Sequence, residues 1–87
     1  MQKRLVFYYK KSCEECFDVE AILGSVISDY ERWHITASPT PGLILLHDES
    51  GVVHERLESE IPAVPALWDS SANVLLIGRR AILGYIA

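Results

Sequence analysis

The strongest constraint on this chain is a change of hydrophobic period close to its N-terminus. Leu5-Val6-Phe7-Tyr8-Tyr9 is an unbroken β-branched and aromatic run, the composition of a fully buried strand. Lys10-Lys11-Ser12 breaks that run. From Cys13 the spacing becomes helical: Val19, Ile22, Leu23, Val26, Ile27, Tyr30 and Trp33 fall on one stripe, with Asp18, Ser25, Asp29 and Arg32 opposite. Gly24 costs such a helix about 1 kcal/mol relative to Ala, yet the stripe runs through it. The helix has to stop before Pro39, and its end is placed between Asp29 and Ile35, because Trp33-His34-Ile35-Thr36 also alternates like a short strand. A strand feeding directly into an amphipathic helix opens a parallel βαβ unit.

Pro39-Thr40-Pro41-Gly42 reads as a turn, and Leu43-Ile44-Leu45-Leu46 as the second buried strand, closed by His47 to Gly51. The stretch from Val52 to Glu60 has two readings. Asp48 to Gly51 is a hairpin loop with Val52-Val53 returning as a strand, or Val53, Leu57 and Ile61 line one side of a second helix. The helix is preferred. Ala63 to Trp68 is a third apolar segment carrying Pro65, Asp69 to Asn73 has the chemistry of a hairpin loop, and Val74-Leu75-Leu76-Ile77 is a fourth strand ended by Gly78. Arg79 to Ala87 is a short terminal helix with Ile82, Leu83 and Ile86 on one face. No repeat, low-complexity tract or linker divides the chain, so residues 1–87 are expected to form a single domain.

The bulk properties narrow the function. A hydrophobic content of 49% and a charged content of 23% are ordinary for a soluble domain. A net charge of −4 argues against nucleic acid or an anionic membrane as partner. No apolar run is long enough to span a bilayer, and Leu5 to Tyr9 is too brief for a secretory signal core. A cytoplasmic location is therefore expected.

The two cysteines form Cys13-Glu14-Glu15-Cys16, where the first strand meets the first helix. At or beside the helix N-cap, unpaired amides and the positive end of the helix dipole favour a thiolate at Cys13. Cys16 lies about one turn further in, close enough to close a disulfide. The outer sulfur is assigned as nucleophile and the inner one as resolving thiol. Lys10 and Lys11 favour the thiolate while Glu14 and Glu15 oppose it, which leaves the dipole uncancelled. Glu14 and Glu15 have two readings of equal weight: acidic residues suit the first turn of any helix, or they select a partner. A zinc site would need four ligands. There is no second cysteine pair, and His34, His47 and His54 lack ligand spacing, so no metal is assigned within the chain. A cluster shared between two subunits is the metal reading left open.

On these residues the chain resembles the thioredoxin superfamily, and within it the small glutaredoxin-like branch. The resemblance is carried by Leu5 to Cys16, by Ala63-Val64-Pro65, and by Gly78 after the fourth strand. It implies a thioredoxin-like two- or three-layer α/β sandwich, ordered β-α-β-(α)-β-β-α around a mixed four-stranded sheet. It also favours the helix for Val52 to Glu60. It implies a cis-proline at Pro65 and a Val64 backbone that pairs with a substrate peptide or glutathione. Lys10 or Lys11 would meet a glutathione carboxylate, and Arg79 and Arg80 would hold its other end. The chain departs from the family pattern at Ser12, where thioredoxins carry Trp, at Glu14-Glu15, and in having the single Gly78.

The expected function is thus a thiol–disulfide oxidoreductase that reduces protein disulfides or glutathione mixed disulfides. It would use no resident cofactor, take glutathione as co-substrate, and exist as a monomer or weak homodimer. The competing readings are a redox-inactive binding module and metal or cluster ligation by Cys13 and Cys16.

Overall fold

A computed structural model of the chain describes residues 3–87. Its elements in chain order are β1 (Leu5–Tyr9), α1 (Glu14–Val26), β2 (Glu31–Ala37), β3 (Leu43–His47), β4 (Val53–Leu57), a 3-10 turn (Glu58–Glu60), β5 (Ala66–Asp69), β6 (Val74–Ile77) and α2 (Arg79–Ile86). One mixed sheet runs β4-β3-β2-β1-β5-β6, with β1 and β2 parallel and every other pair antiparallel.

This arrangement overturns the expected four-stranded thioredoxin-like sandwich. Among the described residues the sheet has six strands, accompanied by two α-helices. Both additional strands come from segments that the sequence left between helix and strand: the stretch after Asp29, and Val52 to Glu60, where the helix was preferred. The first helix stops at Val26, where Ile27 turns extended (φ −129°, ψ 124°) and its N–H closes on the Leu23 carbonyl at 2.8 Å. Tyr30 and Trp33 therefore leave the helical stripe. Trp33 enters β2 instead, beside Tyr8 of β1, and buries on the alternate side chains of that strand together with Ile35. The buried stripe of α1 is narrower than expected. Cys16, Val19 and Leu23 are buried, whereas Ile22 and Val26 are exposed.

The segment 52–60 is a strand and a 3-10 turn, not a helix. Its fate is decided at Asp48, whose Oδ1 accepts the N–H groups of Ser50 at 2.9 Å and Val52 at 3.0 Å. Gly51 supplies the positive φ of 93° that this turn needs. The Asp48 N–H then donates to the Val52 carbonyl at 3.0 Å, and β4 returns along β3. Val53 and Leu57 are exposed on this edge strand rather than lining a core. His54, Glu55 and Arg56 between them give the edge its charge, which discourages further strand pairing.

Alternation along β1 divides the core in two. Leu5 and Phe7 face α1 and α2, packed with Cys16, Val19, Leu23, Leu67 and Ile82. Val6 and Tyr8 face the other way, packed with Trp33, Ile35, Ile44, Leu46, Ile61 and Ala66. Among the described residues no helix covers that second face. Ile61, just after the 3-10 turn, folds onto it instead. Both faces of β1 are therefore largely buried, which is why its sequence has no polar alternation.

Candidate functional site

The site begins where β1 ends. The Cys13 N–H donates to the Lys10 carbonyl at 3.2 Å, a tight turn that delivers Cys13 to the N-cap of α1. There its Sγ accepts the Cys16 N–H at 3.1 Å, doing the work that Ser or Asp does at most helix starts. The two cysteines are joined in a disulfide, with Cα atoms 5.2 Å apart. They are not equivalent. Cys13 is half-buried, whereas Cys16 is fully enclosed in the core between the helices and the sheet.

Several contacts fix this turn. On the outer side of α1, Glu20 pairs with Arg32 of β2 and accepts the Tyr30 hydroxyl at 3.1 Å. The Arg32 guanidinium lies 4.6 Å over the Tyr9 ring, tying the end of β1 into the same group. Burial, with Glu20 adding to it, pushes the Tyr30 hydroxyl up to about 12, so it stays a neutral donor. On the other side, the first backbone N–H of α2, that of Arg79, donates to Glu15 Oε1 at 3.3 Å.

The remaining sequence-predicted residues divide into two groups. Val64 and Pro65 stand just before β5. Their peptide bond is cis, Pro65 is fully buried, and Val64 packs against the cluster that holds Cys16. The Pro65 carbonyl accepts the Gly78 N–H at 2.8 Å, which sets the start of α2 beside it. Arg79 and Arg80 are exposed on that helix start, and with Glu15 and Leu83 they border an open groove of about 820 Å³. The Arg79 guanidinium is drawn toward Asp18, 3.9 Å away on α1.

The lysines go elsewhere. Lys10 lines a separate hollow of about 270 Å³ between β2, β3 and the loop joining them. Lys11 lies near His34, whose imidazole is held below its usual range by burial, then by Lys11 and His47. The structure thus gathers Cys13, Cys16 and the 64–65 and 79–80 segments, and sets Lys10 apart from the α2 groove.

Two features of the site were not read from the sequence. Glu15 is an acceptor for the second helix, and no short-range spacing announces a contact across 64 residues. Phe17, directly after Cys16, is 49% exposed; its position off the apolar stripe was the available signal. Among the described residues, no group of three or more His, Cys, Asp or Glu stands together in a metal-holding arrangement. No helix among them is long and apolar enough to cross a membrane. Comparison with protein-family models, with curated proteins and with solved structures returned no match to this chain.

Proposed function

We propose that this protein is a dithiol–disulfide oxidoreductase in which Cys13 is the nucleophile and Cys16 the resolving thiol. The observation that carries this reading is the asymmetry of the pair: a half-exposed Cys13 whose sulfur caps a helix, bonded to a fully buried Cys16. The Cys16 N–H and the helix dipole both favour negative charge on the Cys13 sulfur, the form in which it attacks once the disulfide is reduced.

The reaction balances as a two-electron exchange. The Cys13 thiolate attacks one sulfur of a substrate disulfide; a Cys13–substrate bond forms, and the other substrate sulfur leaves as a thiolate and takes up a proton. Cys16, deprotonated, then attacks the Cys13 sulfur and expels the second substrate thiol. The substrate disulfide ends as two thiols, and the protein as the Cys13–Cys16 disulfide. Burial of Cys16 restricts it to the second step, since no bulky disulfide reaches it directly.

The substrate class follows from the surroundings. Phe17 offers an apolar surface one residue from the pair, suited to a protein disulfide. The groove at Arg79 and Arg80 has the cationic border that a glutathione carboxylate would use, and the Gly78–Pro65 hydrogen bond ties its edge to the cis-proline segment. Glutathione is accordingly proposed as co-substrate, and a reducing compartment such as the cytoplasm as the setting. The departures at Ser12 and Glu14-Glu15 bear on the redox potential rather than on the order of the steps.

The test is a redox titration with thiol alkylation, counted by mass. A single two-electron transition between about −120 and −270 mV is expected for a catalytic dithiol. Failure to form an intramolecular disulfide at any potential would overturn the proposal.

A further inference from the structure

The sheet face that carries no helix is hollowed rather than flat. Tyr8 of β1, Trp68 of β5, Leu75 of β6 and Ile61 surround a cavity of about 460 Å³, with Arg56 and Glu60 on its rim. That is within the usual range for small-molecule pockets, which run roughly 300–1,000 Å³ and pair an apolar lining with a few polar groups. The pocket belongs to the core cluster of Val6 and Tyr8, across the sheet from the one containing Cys16.

Its polar groups are unbalanced toward donors. The Tyr8 ring is buried in the core, while its hydroxyl keeps solvent access and has no hydrogen-bond partner among the described residues. Burial pushes that hydroxyl up to about 12, so at neutral pH it is a donor. The Trp68 indole N–H, on the same wall, likewise has no acceptor among the described residues, whereas that of Trp33 is taken by Glu31 at 3.1 Å. Arg56 makes no ion pair among them; its only bond runs from Nη1 to the neighbouring Glu55 carbonyl at 2.8 Å. Glu60, the acidic residue of the rim, has one oxygen occupied by the Leu57 N–H at 2.9 Å. Three side chains thus face a largely apolar hollow with donor groups that no protein acceptor engages among the described residues, and each is free to meet an acceptor carried by a ligand.

We propose that this pocket binds a small monocarboxylate with an alkyl or aryl body. The body fills the space between Ile61, Trp68 and Leu75. The carboxylate accepts from the Tyr8 hydroxyl and the Arg56 guanidinium, a charge-assisted pairing. The site stands apart from the disulfide and does not depend on the redox reading.

The experiment is an amide and indole NMR titration of the whole chain with 4-phenylbutyrate, octanoate and, as neutral control, 4-phenylbutan-1-ol. Both acids should shift Tyr8, Ile61, Leu75 and the Trp68 indole, and the alcohol should bind at least about tenfold more weakly than 4-phenylbutyrate. Arg56→Gln, an exposed change on an edge strand, should weaken the acids by a similar factor, whereas Glu60→Gln should tighten them. A purely structural role for these residues would not give opposite signs. No shift at millimolar acid overturns the proposal. So do shifts confined to the groove at Glu15 and Arg79, equal binding of acid and alcohol, or undiminished binding by a correctly folded Arg56→Gln protein.

Discussion

The Arg79 backbone N–H donates to the Glu15 side chain across 3.3 Å, so one residue of the Cys13–Cys16 turn caps the second helix. That helix has eight residues, has Gly78 as its N-cap residue and has no side-chain cap of its own. Its first amides would otherwise depend on water, and an acidic group there also meets the positive end of the helix dipole. Glu14, one residue earlier, makes no side-chain hydrogen bond or ion pair among the described residues. Glu15→Ala is therefore expected to destabilise the protein by about 0.5–1 kcal/mol, with Glu15→Gln recovering part of the loss and Glu14→Ala within a few tenths of zero. Urea denaturation measures all three, and equal effects of Glu14→Ala and Glu15→Ala would remove the capping role.

How much of this arrangement the sequence disclosed depended on whether the deciding contact was local. β1, β6, the start of α1 and the terminal helix were legible because each is bounded by its own punctuation: Lys10-Lys11-Ser12, Asn73 and Gly78. β4 was misread because Val53 and Leu57 stand four apart. That interval is one helical turn and also two strand repeats, so the spacing cannot choose between them. The choice is made by the Asp48 carboxylate gathering the turn and by pairing along β3. β2 was seen only as a short alternation from Trp33 to Thr36, because Ile27, Tyr30 and Trp33 also continue the helical count. What recruits it is the open edge of β1, a partner far away in the chain. At the site, the cysteines and the cis-proline segment were legible as motifs. The Glu15 contact and the pocket behind Tyr8 arise only when strands distant in sequence come together.

Asp69 makes a second cross-link with a pH signature. It is 1% exposed, at the end of β5, and accepts from the Tyr85 hydroxyl at 2.6 Å, from the Ser71 N–H at 3.0 Å and from the Ser71 hydroxyl at 2.7 Å, with Arg4 3.3 Å away. These donors, the Tyr85 and Ser71 hydroxyls foremost, bring its carboxyl down to about 2. An unfolded aspartate titrates near about 3.9, so between these values the unfolded chain holds the proton and the folded one does not. The stabilisation is complete above the unfolded value and is lost as pH falls through the folded one. Asp69→Asn, which keeps the turn acceptor, should lower stability at neutral pH and flatten its dependence between about pH 5 and 2. Thermal melts across that range test this, and an unchanged slope would assign the acid sensitivity to other carboxylates.

The same substitution should act with opposite sign at two glycines. Gly78 has φ of 90° and open space where a Cβ would stand, so Gly78→Ala suffers conformational strain alone, about 1–2 kcal/mol. Gly24 lies inside α1, where an added Cβ would meet the Tyr30 hydroxyl at 3.5 Å, an ordinary contact. Gly24→Ala should therefore stabilise the helix by about 0.5–1 kcal/mol. Denaturation midpoints decide both, and a destabilised Gly24→Ala protein would mean that Tyr30 cannot yield the space.

The unequal burial of the two sulfurs predicts unequal chemistry. In the reduced protein, iodoacetamide should modify Cys13 at least about tenfold faster than Cys16, because Cys13 is accessible and its sulfur faces the Cys16 N–H. Cys16→Ser then removes the only group placed to resolve a mixed disulfide, while its N–H still faces the Cys13 sulfur. That variant should accumulate a stable one-to-one adduct with a disulfide substrate, visible as a mass increase that dithiothreitol reverses. Cys13→Ser should form no such adduct and reduce nothing, since the remaining thiol is enclosed between α1, α2 and the sheet. If Cys13→Ser traps substrate as readily as Cys16→Ser, the roles are exchanged or Cys16 is reachable, and the assignment of nucleophile falls with the burial argument that supports it.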